Sequence, residues 1–255
     1  MHLTVIGTGT VAPSRERTAA AYWVESGPVK LLMDCGAGTM HRCAHFGIAW
    51  EQATHVAITH FHLDHWGELP MLLFAGRWGT LLPRTAPLTV IGPVGFKTRM
   101  VVLAGALGDW VLDPGYPLDL REIEPGGPVE LAAGVTLEAH RTPTHTRESL
   151  AYSVRADGAR LVYTGDTGPD DALARWAAGC DTLVAECSLP DDKAISIHLT
   201  PTQAGALARD AQAKRLVLTH FYPQVEGTDP AGVARRQFSG DVVAANDGDR
   251  FTIGR

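Results

Sequence analysis

The residues of this chain best suited to chemistry lie in one short segment, His60-Phe61-His62-Leu63-Asp64-His65. Side chains alternate along an extended chain, so His60 and His62 point the same way and can bind one ion through neutral imidazole nitrogens. A turn after His62 would bring Asp64 and His65 to a second position beside the first. Packing alone explains the segment poorly, because so many unpaired polar groups are costly to bury. The segment therefore predicts two adjacent divalent metal ions, and zinc suits its nitrogen and oxygen ligands.

Two metal ions need more than four ligands, and further candidates occur later in the chain. His145 lies in a Pro/Thr-rich segment, Asp166 lies in the turn 164–167, and His220 directly follows the apolar run 216–219. A carboxylate such as Asp166 can bridge two cations, whereas each histidine is confined to one.

Several predicted strands end at these residues. Apolar runs at 31–33, 56–59, 161–164 and 216–219 lead into Asp34, His60, Asp166 and His220. This pattern is typical of a layered α/β protein whose site lies at strand ends. Runs of this kind suit strands that are buried on both faces, with helices covering the sheets.

The remaining elements follow from periodicity and turn residues. Helices are predicted at 67–78, 95–107, 169–178 and 201–213. In the last helix Thr200 is the cap, Pro201 is the first residue and Gln203 is the capping-box partner. Strands near 129–131, 135–138, 151–154 and 160–163 predict an antiparallel meander with a hairpin turn at Asp157-Gly158.

Two glycine-rich segments allow two interpretations each. The segment 79–127 is rich in Pro and Gly, and it is either an insertion that covers the site or a connecting helix with long loops. The backbone amides of Gly7-Thr8-Gly9-Thr10 either receive a phosphate or form a tight turn, and the lack of a P-loop lysine argues against ATP binding.

Composition limits the class of protein. The 255 residues, 45% hydrophobic, predict a single domain spanning 1–255. The formal charge of -6 and the absence of a basic run do not favour a stable nucleic-acid partner. No apolar tract is long enough to span a membrane, and no leader is evident, so a cytoplasmic protein without membrane association is expected. The cysteines are interpreted as small buried residues; they are Cys35, Cys43, Cys180 and Cys187.

The chain resembles the metallo-β-lactamase superfamily, and within it the ribonuclease Z-like and related phosphodiesterase branch. The resemblance runs nearly end to end, from Ile6-Gly7-Thr8-Gly9-Thr10 and Met33-Asp34-Cys35-Gly36 through the 60–65 segment to the later His145, Asp166 and His220. It implies an α/β fold, the four-layer αββα sandwich, with the site at the open edge between the sheets.

The resemblance also implies a ligand set. His60, His62 and His145 would hold one zinc, Asp64, His65 and His220 the other, and Asp166 would bridge them; Mn²⁺ or Fe are alternatives to zinc. His140 competes with His145, but His145 stands at the motif's usual distance before the strand at 151–154. Asp34 would support the metal loop through hydrogen bonds.

The catalytic expectations follow from this ligand set. Hydroxide formed on the two ions would be the nucleophile, and Asp64 could accept the proton of the attacking water. His198, in His198-Leu199-Thr200, resembles the residue that protonates the leaving group in the ribonuclease Z-like branch. Glu186 resembles the acidic residue of that branch and would orient His198.

The substrate expectation rests on a short spacing. Members of the branch that process transfer RNA carry a long arm between the third ligand and the bridging aspartate, but His145 and Asp166 are only 21 positions apart (166 − 145). A phosphodiesterase acting on a small phosphodiester, such as a cyclic nucleotide, is therefore favoured. The alternatives are a lactone, ester or thioester hydrolase, a ribonuclease Z-like RNA-processing enzyme, and a non-catalytic metal-containing binding protein. A homodimer is left open.

Overall fold

Two seven-stranded sheets form the framework of the computed structural model, which describes residues 1–254. The first sheet contains, in spatial order, β14 (Arg250–Thr252), β1 (His2–Gly7), β2 (Ala21–Ser26), β3 (Val29–Met33), β4 (His55–Ala57), β5 (Leu88–Pro93) and β6 (Leu118–Ile123). The second sheet contains, in spatial order, β13 (Asp241–Ala244), β12 (Arg215–Thr219), β11 (Thr182–Glu186), β10 (Ala159–Tyr163), β9 (Leu150–Ala156), β8 (Val135–Arg141) and β7 (Val129–Ala132).

Both faces of each sheet are buried, as the continuous apolar runs predict. In β2, Tyr22 and Val24 pack into a core shared by the two sheets, whereas Trp23 packs into a separate core on the outer face of the first sheet. A third core lies between the second sheet and its helices and includes Leu183 and Leu207. Three apolar cores separate four layers, so the predicted αββα sandwich is confirmed.

Seven α-helices accompany the sheets in the described part of the chain. They are α1 (Thr39–Phe46), α2 (Leu63–Trp66), α3 (Leu69–Trp78), α4 (Phe96–Leu107), α5 (Asp171–Trp176), α6 (Pro201–Asp210) and α7 (Pro230–Ala234). The helix predicted at 67–78 begins two residues later, and those predicted at 169–178 and 201–213 end earlier. The capping box of α6 is present, with the Thr200 and Gln203 side chains each bonded to the other's backbone. Through residue 254, no helix is both long and apolar enough to cross a membrane.

The antiparallel meander forms as predicted, from β7 to β10. Its last hairpin turns at Asp157 and Gly158, which both have positive φ angles of 52° and 74°. Such a turn matches the twist of the flanking strands. The chain from His145 to Asp166 is thus used up by one hairpin and its flanking loops.

The segment 79–127 contains more regular structure than either interpretation anticipated. It contributes β5 and β6, which pair in parallel at the edge of the first sheet, and α4 connects them. These strands extend the first sheet and therefore belong to the sandwich. Arg99, in α4, approaches the 60–65 segment: its guanidinium lies 3.8 Å from the ring centroid of Phe61.

Candidate metal centre

The predicted ligands lie at neighbouring strand ends. The strands β10, β11 and β12 are parallel, so the residues that follow them emerge at the same edge of the second sheet. Asp166 follows β10, and His220 follows β12. His60 follows β4 of the first sheet, on the other side of the shared core. The centre is therefore built where the loops of the two sheets meet.

The chain turns after His62, as the sequence predicts. His62 is extended, with φ -70° and ψ 143°, and α2 starts at the next residue. The His65 backbone N–H donates to the His62 carbonyl at 2.9 Å. After this single turn, Asp64 and His65 belong to a different group of ligand atoms from His62.

The first group of ligand atoms contains three histidines and a carboxylate. Nδ1 of His62 lies 3.1 Å from Nε2 of His60 and 3.0 Å from Nε2 of His145. Oδ2 of Asp166 lies 3.8 Å from His60 Nε2 and 3.6 Å from His145 Nε2. One atom from each of the four residues falls within 4.8 Å of all the others.

The second group contains Asp64, His65 and His220, again within 4.8 Å of one another. The Nε2 atoms of His65 and His220 are 3.2 Å apart, and Asp64 Oδ2 lies 3.4 Å from His220 Nε2. Burial disfavours the charge on Asp64, but the hydrogen bond to His220 and the nearby His65 lower its pKa to about 2. Asp64 is therefore ionised at neutral pH.

Asp166 faces both groups. Its Oδ2 atom is directed to the first group, whereas Oδ1 lies 3.3 Å from Nε2 of His65 and 3.3 Å from Nε2 of His220. Burial alone would raise the pKa of this carboxyl, but the surrounding imidazoles hold the pKa well below its usual range. Oδ1 is buried and has no hydrogen-bond partner within residues 1–254. A buried carboxylate oxygen without a partner, facing imidazole nitrogens, is the arrangement that a divalent cation satisfies.

Asp34 orients the metal loop, as the resemblance implies. Its carboxylate accepts the Thr59 backbone N–H at 2.8 Å and lies 2.7 Å from His65 Nδ1. The Tyr163 hydroxyl donates to the same carboxylate at 2.8 Å. With Nδ1 held by Asp34, His65 presents Nε2 to the centre. Such support is commonly found behind metal-binding histidines.

Glu186 and His198 are brought into contact beside the second group. His198 Nδ1 lies 3.0 Å from both carboxylate oxygens of Glu186. Glu186 also accepts the backbone N–H groups of Thr167 at 2.6 Å and Leu199 at 3.2 Å. Burial disfavours the charged form of His198, but the hydrogen bond and charge of Glu186 outweigh it, so the pKa of His198 is raised. A ring nitrogen of His198 lies within 4.8 Å of ligand atoms of Asp166 and His220.

Two other sequence candidates lie outside these groups. His140 stacks on Trp176 with ring centroids 5.1 Å apart, and His145 occupies the centre instead. In the glycine-rich turn, the Thr8 backbone N–H donates to Asp247 and the Gly9 N–H donates to the Thr18 carbonyl. A Cβ on Gly7 would lie 2.0 Å from the Ala19 carbonyl oxygen. These glycines therefore allow close chain packing, and the amides of Thr8 and Gly9 already have partners within the protein.

The sequence did not reveal the hydroxyl groups that support the centre. Tyr163 bonds Asp34, and Ser188 lies between Glu186 and His220. Serine and tyrosine are too common for either residue to be identified by type. The usable signal is position, because Tyr163 ends β10 and Ser188 lies two residues beyond the end of β11.

Comparisons with known proteins agree with this geometry. Residues 30–221 match the model of the β-lactamase superfamily domain. Ribonuclease Z from Mycobacterium bovis is 29% identical, with 99% of this chain and 98% of that protein covered. The metallo-β-lactamase fold protein YhfI from Bacillus subtilis superposes with a TM-score of 0.85 at 25% identity, with 99% of each chain covered. The short form of human tRNase Z superposes with a TM-score of 0.81 at 26% identity, with both chains fully covered.

These relatives bear on the expected partners. Two of the three are named for action on RNA, so the expectation of no stable nucleic-acid partner, drawn from net charge, is weakened. Net charge describes the whole surface, whereas a nucleic acid contacts only part of it. The domain match and the two groups of His and Asp residues lead to one identification: the chain belongs to the β-lactamase superfamily and is a metal-dependent hydrolase.

Proposed function

We propose that this protein is a phosphodiesterase that hydrolyses a small phosphodiester with the help of two zinc ions. The observation that carries the proposal is the position of Asp166, whose two oxygens face separate groups of imidazole nitrogens. In the proposed set, His60, His62 and His145 hold one ion, Asp64, His65 and His220 hold the other, and Asp166 contacts both. When bound, the ions would supply Lewis acidity toward the phosphoryl oxygens and acidify a water molecule.

The side chains supply the proton transfers. The water oxygen bonds to phosphorus while the ionised Asp64 accepts a proton from that water. The bond between phosphorus and the leaving oxygen breaks, and His198 donates a proton to that oxygen. The Nδ1 contact with Glu186 keeps His198 in place and favours its protonated form. An alkoxide is a poor leaving group, so this proton matters most for an unactivated diester.

Two features support a small substrate. The hairpin of β9 and β10 leaves no arm between His145 and Asp166 that could clamp a distant part of an RNA. Leu63 and Ile197 are 70% and 40% exposed; Leu63 follows His62 in the chain, and the Ile197 carbonyl oxygen lies 3.2 Å from His145 Nδ1. Exposed apolar residues so near the ligand residues would suit an uncharged ring such as a nucleobase, so a cyclic nucleotide is the substrate that we propose.

RNA processing is the second candidate function, favoured by a specific observation. The match to a ribonuclease Z covers almost the full length of both chains. A precursor RNA would carry the same scissile bond, so the ligand set and the Glu186–His198 pair serve both functions equally. The two candidates differ only in how the rest of the substrate is held.

The test compares substrates on one preparation. The protein is stripped with a chelator, reloaded with zinc, and offered bis-p-nitrophenyl phosphate, a cyclic nucleotide, a lactone, a thioester and a precursor transfer RNA. We expect zinc-dependent turnover of the two small diesters to exceed turnover of the lactone and thioester. Faster cleavage of the transfer RNA would favour RNA processing. Faster turnover of the lactone or thioester, or turnover unaffected by chelation, would contradict the proposal. His140→Ala, outside the centre, is the matched control for histidine loss.

A further inference from the structure

A buried serine connects the second ligand group to the Glu186–His198 pair. Ser188 is fully buried, and its hydroxyl donates to Glu186 Oε2 through a short hydrogen bond. The hydroxyl oxygen of Ser188 also lies 2.9 Å from Nδ1 of His220. The distance from Ser188 Oγ to His198 Nδ1 is longer, at 3.3 Å, and His198 already reaches Glu186 directly.

The protons of this group can be placed by counting donors and acceptors. Glu186 accepts the backbone N–H groups of Thr167 and Leu199, so its carboxylate is suited to accept rather than donate. Ser188 has one hydroxyl proton, which is used toward Glu186. Its oxygen then accepts a hydrogen bond from the N–H group at Nδ1 of His220. The proton of His220 therefore sits on Nδ1, and the lone pair of Nε2 is directed to Asp64 and Asp166.

Two features of His220 are its backbone conformation and the partner of its ring nitrogen Nδ1. Its backbone has φ 59°, a conformation that residues other than glycine rarely adopt. Nδ1 of His65 is held by Asp34, and Nδ1 of His145 lies 3.2 Å from the Ile197 carbonyl oxygen. Across residues 1–254, Ser188 is the only hydrogen-bond partner of His220 Nδ1.

The fold explains why these residues meet. The strands β11 and β12 are parallel, with Glu186 opposite Thr219. Ser188 and His220 therefore leave the same edge of the sheet side by side. The Cys187 backbone N–H donates to the Thr219 carbonyl at 2.8 Å, and the Tyr222 N–H donates to the Ser188 carbonyl at 3.3 Å. The two loops are thus connected on both sides of the Ser188 side chain.

We propose that Ser188 is a positioning residue that fixes the tautomer of His220 for metal binding and connects it to the carboxylate that holds His198. The inference rests on the proposed ligand set and goes beyond it. One carboxylate, Glu186, then supports both a metal-binding histidine and the proton donor. We expect substitution of Ser188 to weaken metal binding and, through that loss, to lower the rate of hydrolysis.

The first experiment measures zinc affinity in Ser188→Ala, Ser188→Thr and the wild type by competition with a chromophoric chelator. Loss of a residue that supports a metal ligand typically weakens binding about 10- to 100-fold. We expect a loss of that size for one of the two ions in Ser188→Ala and recovery in Ser188→Thr, which keeps the hydroxyl. Ser153→Ala is the control, because Ser153 is equally buried and bonds Arg160. Wild-type affinity at both sites in a folded Ser188→Ala, or a loss no greater than in Ser153→Ala, would overturn the proposal.

The second experiment needs no variant and therefore does not depend on folding of the mutants. Nitrogen-15 NMR of the zinc-loaded wild type reports the tautomer of each histidine. We expect His220 to carry its proton on Nδ1, and a proton on Nε2 would overturn the proposal. Failure of the proposed function would look different: the wild type would bind two zinc ions with the expected tautomer and still fail to hydrolyse diesters.

Discussion

Asp166 Oδ1 lies 3.3 Å from Nε2 of His65, although the two residues follow strands of different sheets. Asp166 is thus the side chain through which the two ligand groups meet. We expect Asp166→Ala to lose tight binding of both zinc ions and to lower kcat/KM for a cyclic nucleotide at least about 100-fold, more than loss of a merely supporting residue. Zinc content after dialysis and steady-state kinetics measure these effects.

The control for this substitution is Asp241→Ala. Asp241 is exposed and pairs with Arg215 at the far end of β12. Its removal should leave zinc content unchanged. Two tightly bound zinc ions in Asp166→Ala would contradict the bridging role.

The hydrogen bond from Tyr163 to Asp34 offers a test of stability. Tyr163 and Tyr152 are both fully buried, but Tyr163 donates to a carboxylate whereas Tyr152 donates to the Ile58 carbonyl. Hydrogen bonds to charged groups contribute about 1.5–3 kcal/mol, against about 0.5–1.5 kcal/mol for neutral pairs. We therefore expect Tyr163→Phe to lower the free energy of unfolding more than Tyr152→Phe, as measured by urea denaturation. An equal loss in the two variants would contradict a stronger hydrogen bond from Tyr163 to Asp34 than from Tyr152 to Ile58.

The role of His198 is tested by varying the leaving group. His198→Ala should slow hydrolysis of a cyclic nucleotide by about 10²- to 10⁴-fold, the range typical of general acid catalysis. Bis-p-nitrophenyl phosphate has a leaving group that departs without a proton and should be affected much less. Zinc content should stay at the wild-type level. If both substrates lose the same factor, His198 has another function.

The pH dependence follows from the raised pKa of His198. A proton donor must be protonated, so kcat for a cyclic nucleotide should be high below this pKa and fall as the pH rises through it. Glu186→Gln removes the charge that raises the pKa, so the falling limb should move to lower pH. A pH profile of kcat for the two proteins measures the shift. An unmoved limb would mean that another group controls it.

The local parts of the centre could be predicted because their residues are close in sequence. His60, His62, Asp64 and His65 define their own turn, and the capping box of α6 lies within four residues. Asp166 and His220 could be identified because each follows an apolar run that forms a parallel strand.

The rest depends on contacts that no short pattern contains. Ser188 meets His220 across 32 positions, and only the pairing of β11 with β12 brings them together. The strands β5 and β6 could not be predicted from the sequence, because proline and glycine flank them. Their place in the sheet is set by pairing of β5 with β4 and of β5 with β6. Net charge could not exclude RNA, because it does not describe the surface near the site.

The ligand residues of the centre come from both halves of the sandwich. The 60–65 segment follows β4, whereas His145, Asp166 and His220 follow strands of the second sheet. When only the first half of the polypeptide has left the ribosome, the four ligand residues of the 60–65 segment are present, but the later ligand residues are not. With the proposed ligand set, the first ion would have to wait for Asp166 and the second for His220, and both would have to wait until the two halves have docked. Ions bound in this way would join one half to the other, and their supply would then add to the resistance of the whole molecule to unfolding.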